Sequence, residues 1–222
     1  MSKKHIYFAK GIAVMMLILC IIWIVKIKAG EVPYVDQWTR GFVAAIADSN
    51  VYSVFRWITE LGSKSFLLPF TIAMSFFLWY LFRDWLVGIL FAGGTLGSHL
   101  LNTLIKELVE RERPRILIEA NAEGYSFPSG HAMTSLVCYG LFAYLITKKI
   151  ASQKVVLSMK IAFVLLIFLI GISRYVINVH YLTDVLAGFT IGGLFLTGMV
   201  YLYEFIQKRK SNDTSLSRDK QI

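Results

Sequence analysis

Six stretches of this chain are apolar almost without interruption, and charged residues mark where most of them begin and end. Gly11–Val25 lies between Lys10 and Lys26, Ser65–Phe82 between Lys64 and Arg83, and Trp85–Ile105 between Asp84 and Lys106. A fourth follows His131 as far as Thr147, and a fifth runs from Val155 to Ser173 with Lys160 near one end. The last is Val185–Tyr203, between Asp184 and Glu204. Long windows without period-two alternation read as helices, and a helix crosses a bilayer in roughly 17–25 residues. The first and fourth windows are short and reach that span if their flanking lysines snorkel. The pattern therefore predicts an all-α protein, a six-transmembrane-helix bundle, with helices near 8–27, 64–82, 85–106, 130–147, 155–177 and 180–205. One transmembrane domain over residues 1–210 is expected, with no second domain.

Composition agrees: 56% of residues are hydrophobic and 17% charged, too greasy a balance for an ordinary soluble domain. Ile27-Lys28-Ala29 lacks a small-x-small cleavage pattern, so the first helix reads as an uncleaved anchor. Cys20 and Cys138 sit inside apolar windows and read as buried thiols rather than a disulfide.

Charge sets the topology. Lys3, Lys4 and Lys10, then Arg83, then Lys148, Lys149, Lys154 and Lys160, then Lys208, Arg209 and Lys210 fall on one side of a six-helix serpentine. That side is expected to be the cytoplasm, placing both termini there in a multi-pass cell-membrane protein; Lys26 and Lys28 run against the rule. Residues 211–222 read as a polar, disordered cytoplasmic tail, where the sequon Asn212-Asp213-Thr214 plays no part. The opposite, extracytoplasmic side has a long connection, Glu31–Gly62, with Asp36 placed to cap a helix. Its Trp38, Phe42, Phe55 and Trp57 suggest short interfacial helices. The next connection, Lys106–Gly130, carries Lys106, Arg111, Arg113 and Arg115 on the face where the topological rule disfavours them. An anionic ligand is one reason for such placement.

The outer ends of the last four helices share this face. Lys106 ends the third helix, with Arg113-Pro114 after six intervening residues. Pro128-Ser129-Gly130-His131 opens the fourth, Ser173-Arg174 closes the fifth, and His180 and Asp184 head the sixth. A phosphate monoester presents nearly two negative charges, and its transfer spreads charge over three oxygens. Lys106, Arg113 and Arg174 supply fixed positive charge, and the arginines can bind two oxygens at once. Ser129 is a natural N-cap and Gly130 admits close approach, so the fourth helix offers N–H donors and its dipole to an anion. His180 and Asp184, four apart, share a face if both are helical, so the carboxylate can hold one ring nitrogen and free the other. His131 remains as general acid and base. From the residues alone the two histidines could exchange roles; only the Asp184 partner favours His180.

The ordered set Lys-x6-Arg-Pro, Pro-Ser-Gly-His, Ser-Arg-x5-His-x3-Asp resembles the type 2 phosphatidic acid phosphatase superfamily over residues 60–205, complete at every motif position. The resemblance implies a six-helix lipid-phosphatase core acting without metal or other cofactor through a phosphohistidine. By that resemblance His180 is the nucleophile and His131 the general acid and base, with Asp184 expected to orient His180. Lys106, Arg113, Ser129, Gly130 and Arg174 bind phosphate, with Pro114, Pro128 and Ser173 supporting them.

Blander readings exist for each piece. A juxtamembrane cation can meet headgroups, a Pro-Ser-Gly can simply start a helix, and a His–Asp pair can be structural. Jointly they would require three spacings to coincide on one face. His99 and His5 read as structural, and Arg111, Arg115 and Glu119 as headgroup contacts only. A metal held by His131, His180 and Asp184 is opposed by three neighbouring cations, and one carboxylate makes a poor two-metal clamp. A non-hydrolytic lipid-phosphate transporter would carry charge mid-helix, whereas these windows are almost free of it. The expected partners are the bilayer and a membrane lipid phosphate, with no nucleic acid and no obligate protein partner. Phosphatidylglycerol phosphate leads by resemblance, and undecaprenyl diphosphate is the alternative; phosphatidic acid and diacylglycerol diphosphate are further candidates. Six spans and small size argue against the soluble haloperoxidases with the same motifs.

Overall fold

A computed structural model describes residues 3–46, 50–114 and 124–219. Among the described residues eight helices follow in chain order: α1 (Lys3–Lys28), α2 (Tyr34–Ile46), α3 (Asn50–Glu60), α4 (Lys64–Phe82), α5 (Trp85–Val109), α6 (Gly130–Thr147), α7 (Gln153–Val176) and α8 (Leu182–Asp219). Six of them, α1 and α4 to α8, are long and apolar enough to cross a membrane. The protein is thus a multi-pass helical membrane protein whose spans coincide with the six apolar windows. Their starts have local causes. Ser63 accepts from Phe66 N, Asp84 from Leu86 N and Ser129 from Ala132 N, each satisfying a donor that the first turn leaves open.

Lipid is as apolar as a leucine side chain, so packing between helices depends on close fit rather than on escape from solvent. α6 is the centre, touching α4, α5, α7 and α8. Its Met133, Val137, Leu141 and Leu145 are fully buried, and Phe70, Tyr139, Phe142 and Phe163 form a ring cluster around it. α1 is peripheral, contacting α8 and α5, with Ile21 and Val25 turned outward. α4 and α5 meet tightly at the end away from the site, where a Cβ on Gly88 would stand 2.6 Å from the Ser75 carbonyl oxygen. Toward the site they part, and a cavity of about 470 Å³ opens between them.

Two expectations change. The chain beyond residue 211 does not leave the helix: α8 continues through Asp219, so the expected disordered tail is helical as far as described. Asp36 does not cap a helix from outside; it lies within the first turn of α2 and is 3% exposed, for a reason given below. The short helices α2 and α3 present Trp38, Phe42 and Trp57 outward, in keeping with interfacial elements.

Candidate active site

α7 ends at Val176, and Asn178 turns the chain in the left-handed region (φ 58), a conformation asparagine tolerates. The turn hangs from one carbonyl: Val179 N and His180 N both donate to Arg174 O at 3.1 Å. α8 begins only at Leu182, so His180 stands on the turn and not on a helical face shared with Asp184. The two still meet, because Asp184 reaches back from the first turn. Its Oδ2 accepts from Tyr181 N at 2.8 Å and lies 3.4 Å from His180 Nδ1. Ser126 Oγ donates to the same carboxylate oxygen and lies 3.4 Å from His180 Nδ1. These acceptors assign the ring hydrogen to Nδ1 and put the Nε2 lone pair on the other side of the ring, toward the Arg113 guanidinium. His180 is 3% exposed, and burial pushes its pKa down to about 3 against the opposing pull of Asp184. The ring is therefore neutral at ordinary pH.

The other carboxylate oxygen has its own donor. Arg111 Nη1 donates to Asp184 Oδ1 at 2.5 Å and to Thr183 Oγ1 at 2.8 Å, and its Nη2 donates to Asp36 Oδ2 at 2.7 Å. Asp36 in turn accepts from Thr183 N at 3.0 Å and Thr183 Oγ1 at 2.6 Å. Arg111 is only 6% exposed and also covers the Tyr181 ring, 3.8 Å from its centroid. This corrects the headgroup role expected for it: Arg111 is a buried clamp joining α2 to Asp184. Arg115 and Glu119 lie outside the described residues.

Nε2 of His180 faces a cationic pocket. Arg113 Nη1 lies 3.2 Å from it while donating to Val179 O at 2.9 Å, and Arg113 Nε donates to Gly124 O at 2.9 Å. Arg174 is 7% exposed; its Nη1 donates to Thr59 Oγ1 at 3.0 Å, and its buried Nε has no hydrogen-bond partner among the described residues. A buried charged donor left open costs stability unless an acceptor arrives. Arg174, His180, Lys106 and Arg113 all lie within electrostatic reach of His131. All five line the upper end of the α4–α5 cavity together with Gly130. Gly130 and His131, the first two residues of α6, thus bring that helix's N-terminus to the cavity wall.

The supporting residues divide. Pro128 is buried and its carbonyl accepts from Asn102 Nδ2 at 3.2 Å, which ties the α6 entrance to α5. Ser129 N donates to Asp184 O at 3.0 Å, joining the N-cap to α8. Pro114 is buried beside His180 and Tyr175. Ser173 is different, since its hydroxyl donates into its own helix at Ile170 O (2.6 Å) rather than toward the cluster. Sequence reasoning gave Arg111 and Asp36 other roles and missed Ser126, Thr183 and Thr59. Their contacts to the site run through partners distant in sequence, and the one visible signal was an arginine two places before Arg113.

The sequence model of the PAP2 superfamily matches residues 85–208. Phosphatidylglycerophosphatase B of Bacillus subtilis is 33% identical over 170 residues, covering 75% of this chain and 82% of that protein. Lipid A 1-phosphatase of Rhizobium etli is 30% identical over 133 residues, 54% of this chain and 53% of that protein. Dolichyldiphosphatase of Saccharomyces cerevisiae is 25% identical over 162 residues, 69% and 66% of the two chains. The crystal structure of a transmembrane PAP2-type phosphatidylglycerolphosphate phosphatase from Bacillus subtilis superposes with a TM-score of 0.77 at 29% identity, covering 87% of this chain and 96% of that one.

Proposed function

The chain belongs to the PAP2 superfamily, and from that premise we propose that it is a membrane phosphatase hydrolysing phosphatidylglycerol phosphate to phosphatidylglycerol through a phosphohistidine. The observation that carries this reading is His180, pinned through Nδ1 by Asp184 with Nε2 turned into a pocket of three cations. In the reaction, the Nε2 lone pair attacks phosphorus and the bond from phosphorus to the ester oxygen breaks. His131 gives its proton to the departing alkoxide. It then takes a proton from a water that attacks the phosphohistidine; the P–N bond breaks, releasing inorganic phosphate and restoring His180. Lys106, Arg113 and Arg174 hold the three phosphoryl oxygens as charge builds, and the open Arg174 Nε is one donor for them.

Position favours a lipid. The pocket sits at one end of the bundle, and the groove below it is lined by Leu67, Leu68, Ile72, Ala92 and Leu96, so tails can lie between α4 and α5 while the phosphate meets the pocket. We place this end on the extracytoplasmic side, with both termini cytoplasmic, on the lysine distribution at the opposite end. An isoprenyl diphosphate such as undecaprenyl diphosphate is the second substrate reading, supported by the similarity to a dolichyldiphosphatase. No step calls for a metal: three cations surround the histidines and repel a divalent ion. The test is phosphate release by purified, EDTA-treated protein from phosphatidylglycerol phosphate, phosphatidic acid and undecaprenyl diphosphate. Release greatest from the first is expected; a strict requirement for added divalent metal sinks the mechanism.

Gly62 supplies a second check. A Cβ there would stand 2.4 Å from Ile170 Cγ2 and 3.0 Å from His131 Cδ2, so the loop before α4 packs directly on the proposed acid. Gly62→Ala is expected to lower kcat roughly ten- to hundredfold, the scale of a displacement near 1 Å at a reacting group. A kcat equal to wild type would show that His131 need not be held there.

A further inference from the structure

Along one line of α5 the tail groove is not apolar. His99, Asn102, Thr103 and Lys106 recur at helical spacing on one face, and all four line the groove. His99 is exposed into it, and the ammonium groups of Lys64, which opens α4, and of Lys106 are both within electrostatic reach of the imidazole. Lys106 belongs to the phosphate pocket, but His99 lies two helical turns deeper, about 10 Å along the axis. Ionisable groups at membrane depth are costly and mark a polar occupant. A lysine at a helix end can snorkel to water, which accounts for Lys64 alone but not for a histidine facing it from the next helix.

We propose that Lys64 and His99 form a second anion subsite, which takes the phosphodiester of a lipid whose terminal phosphate sits among Lys106, Arg113 and Arg174. This rests on the phosphatase reading above and sharpens its substrate class. The spacing selects the lipid. Two phosphates of a diphosphate share one bridging oxygen, so both stay within the pocket around Lys106. Two phosphates joined through glycerol can occupy the pocket and the Lys64–His99 pair together, with acyl chains continuing past Thr95 and Leu96. A phosphatidic acid, with one phosphate, leaves that pair unused. Lys64 supplies the charge and His99 a ring N–H, so the contact is a charge-assisted one.

The test uses full-length protein with His99→Leu, Lys64→Gln and the pair, and kcat/KM for phosphatidylglycerol phosphate, phosphatidic acid and an isoprenyl diphosphate. The ratio of phosphatidylglycerol phosphate to phosphatidic acid is expected to fall about tenfold in each single variant, mainly through KM, and further in the double. The isoprenyl diphosphate should track phosphatidic acid. Equal losses on all three lipids, no loss on any, or a selective loss on the diphosphate would each overturn the subsite. Wild-type protein that hydrolyses none of them would overturn the phosphatase reading instead.

Discussion

Replacing His180 by alanine is expected to lower phosphate release from a lipid phosphate by about four orders of magnitude or more, while inorganic phosphate still binds. The size follows from removing the attacking atom: in sites built as nucleophile, partner and orienter, the residual rate comes only from the binding and electrostatic groups left behind. Those groups stay in place: Arg113 loses its 3.2 Å contact to His180 Nε2 but keeps its bonds to Gly124 O, Val179 O and Tyr125 O, and Arg174 and the first turn of α6 have contacts of their own. His180 also suits the task by protonation state. Burial holds its pKa down at about 3, so the ring keeps its lone pair as pH falls through the normal histidine range. Wild-type protein quenched during turnover of a phosphate-labelled lipid should carry acid-labile label, and the His180→Ala protein should carry none. Label retained in the variant, or turnover within tenfold of wild type, would move the nucleophile to another residue, with His131 the first candidate.

That the two histidines could exchange roles on sequence alone shows where sequence reading stops. The spans were legible because lipid demands long uncharged helices and charges mark their ends: Lys64 and Asp84 stand at helix starts in the structure as in the pattern. The residues proposed to bind phosphate could be grouped from the sequence because each lies within a few residues of a helix end on one face. His180 and Asp184 were paired correctly for a partly wrong reason. Their spacing suggested a helical face, whereas His180 stands on a turn and Asp184 bends back to it through Tyr181 N. Asp36, Ser126 and Arg111 were misread or missed because nothing local betrays a partner 58 to 75 positions away. A buried ion pair leaves no periodicity. Ser173 was included for its place in a motif, yet its hydroxyl serves only its own helix.

Arg111→Met should produce the second large effect, a loss of roughly 3–5 kcal/mol in stability together with a fall in kcat of about a hundredfold. Arg111 is the shared partner of two buried carboxylates, Asp36 and Asp184, and deleting one member of a buried ionic set leaves uncompensated charge in a dry interior. The catalytic part follows separately: without the bond to Oδ1, Asp184 keeps Ser126 and Tyr181 N on Oδ2 but can rotate away from His180 Nδ1. The two effects can be pulled apart. In Arg111→Met with Asp36→Leu, one unpaired charge is gone and apolar packing replaces the bridge, but Thr183 N and Oγ1 lose their acceptor, so part of the stability should return. The kcat should not return, because Asp184 still lacks its Oδ1 donor. Arg111→Lys should sit between, since a point charge reaches one carboxylate where the planar fork reaches both. Thermal unfolding in detergent measures the first quantity and steady-state kcat and KM the second, with KM expected near wild type. If the double variant recovers kcat along with stability, Arg111 merely holds α2 in place and has no part in orienting the proposed nucleophile.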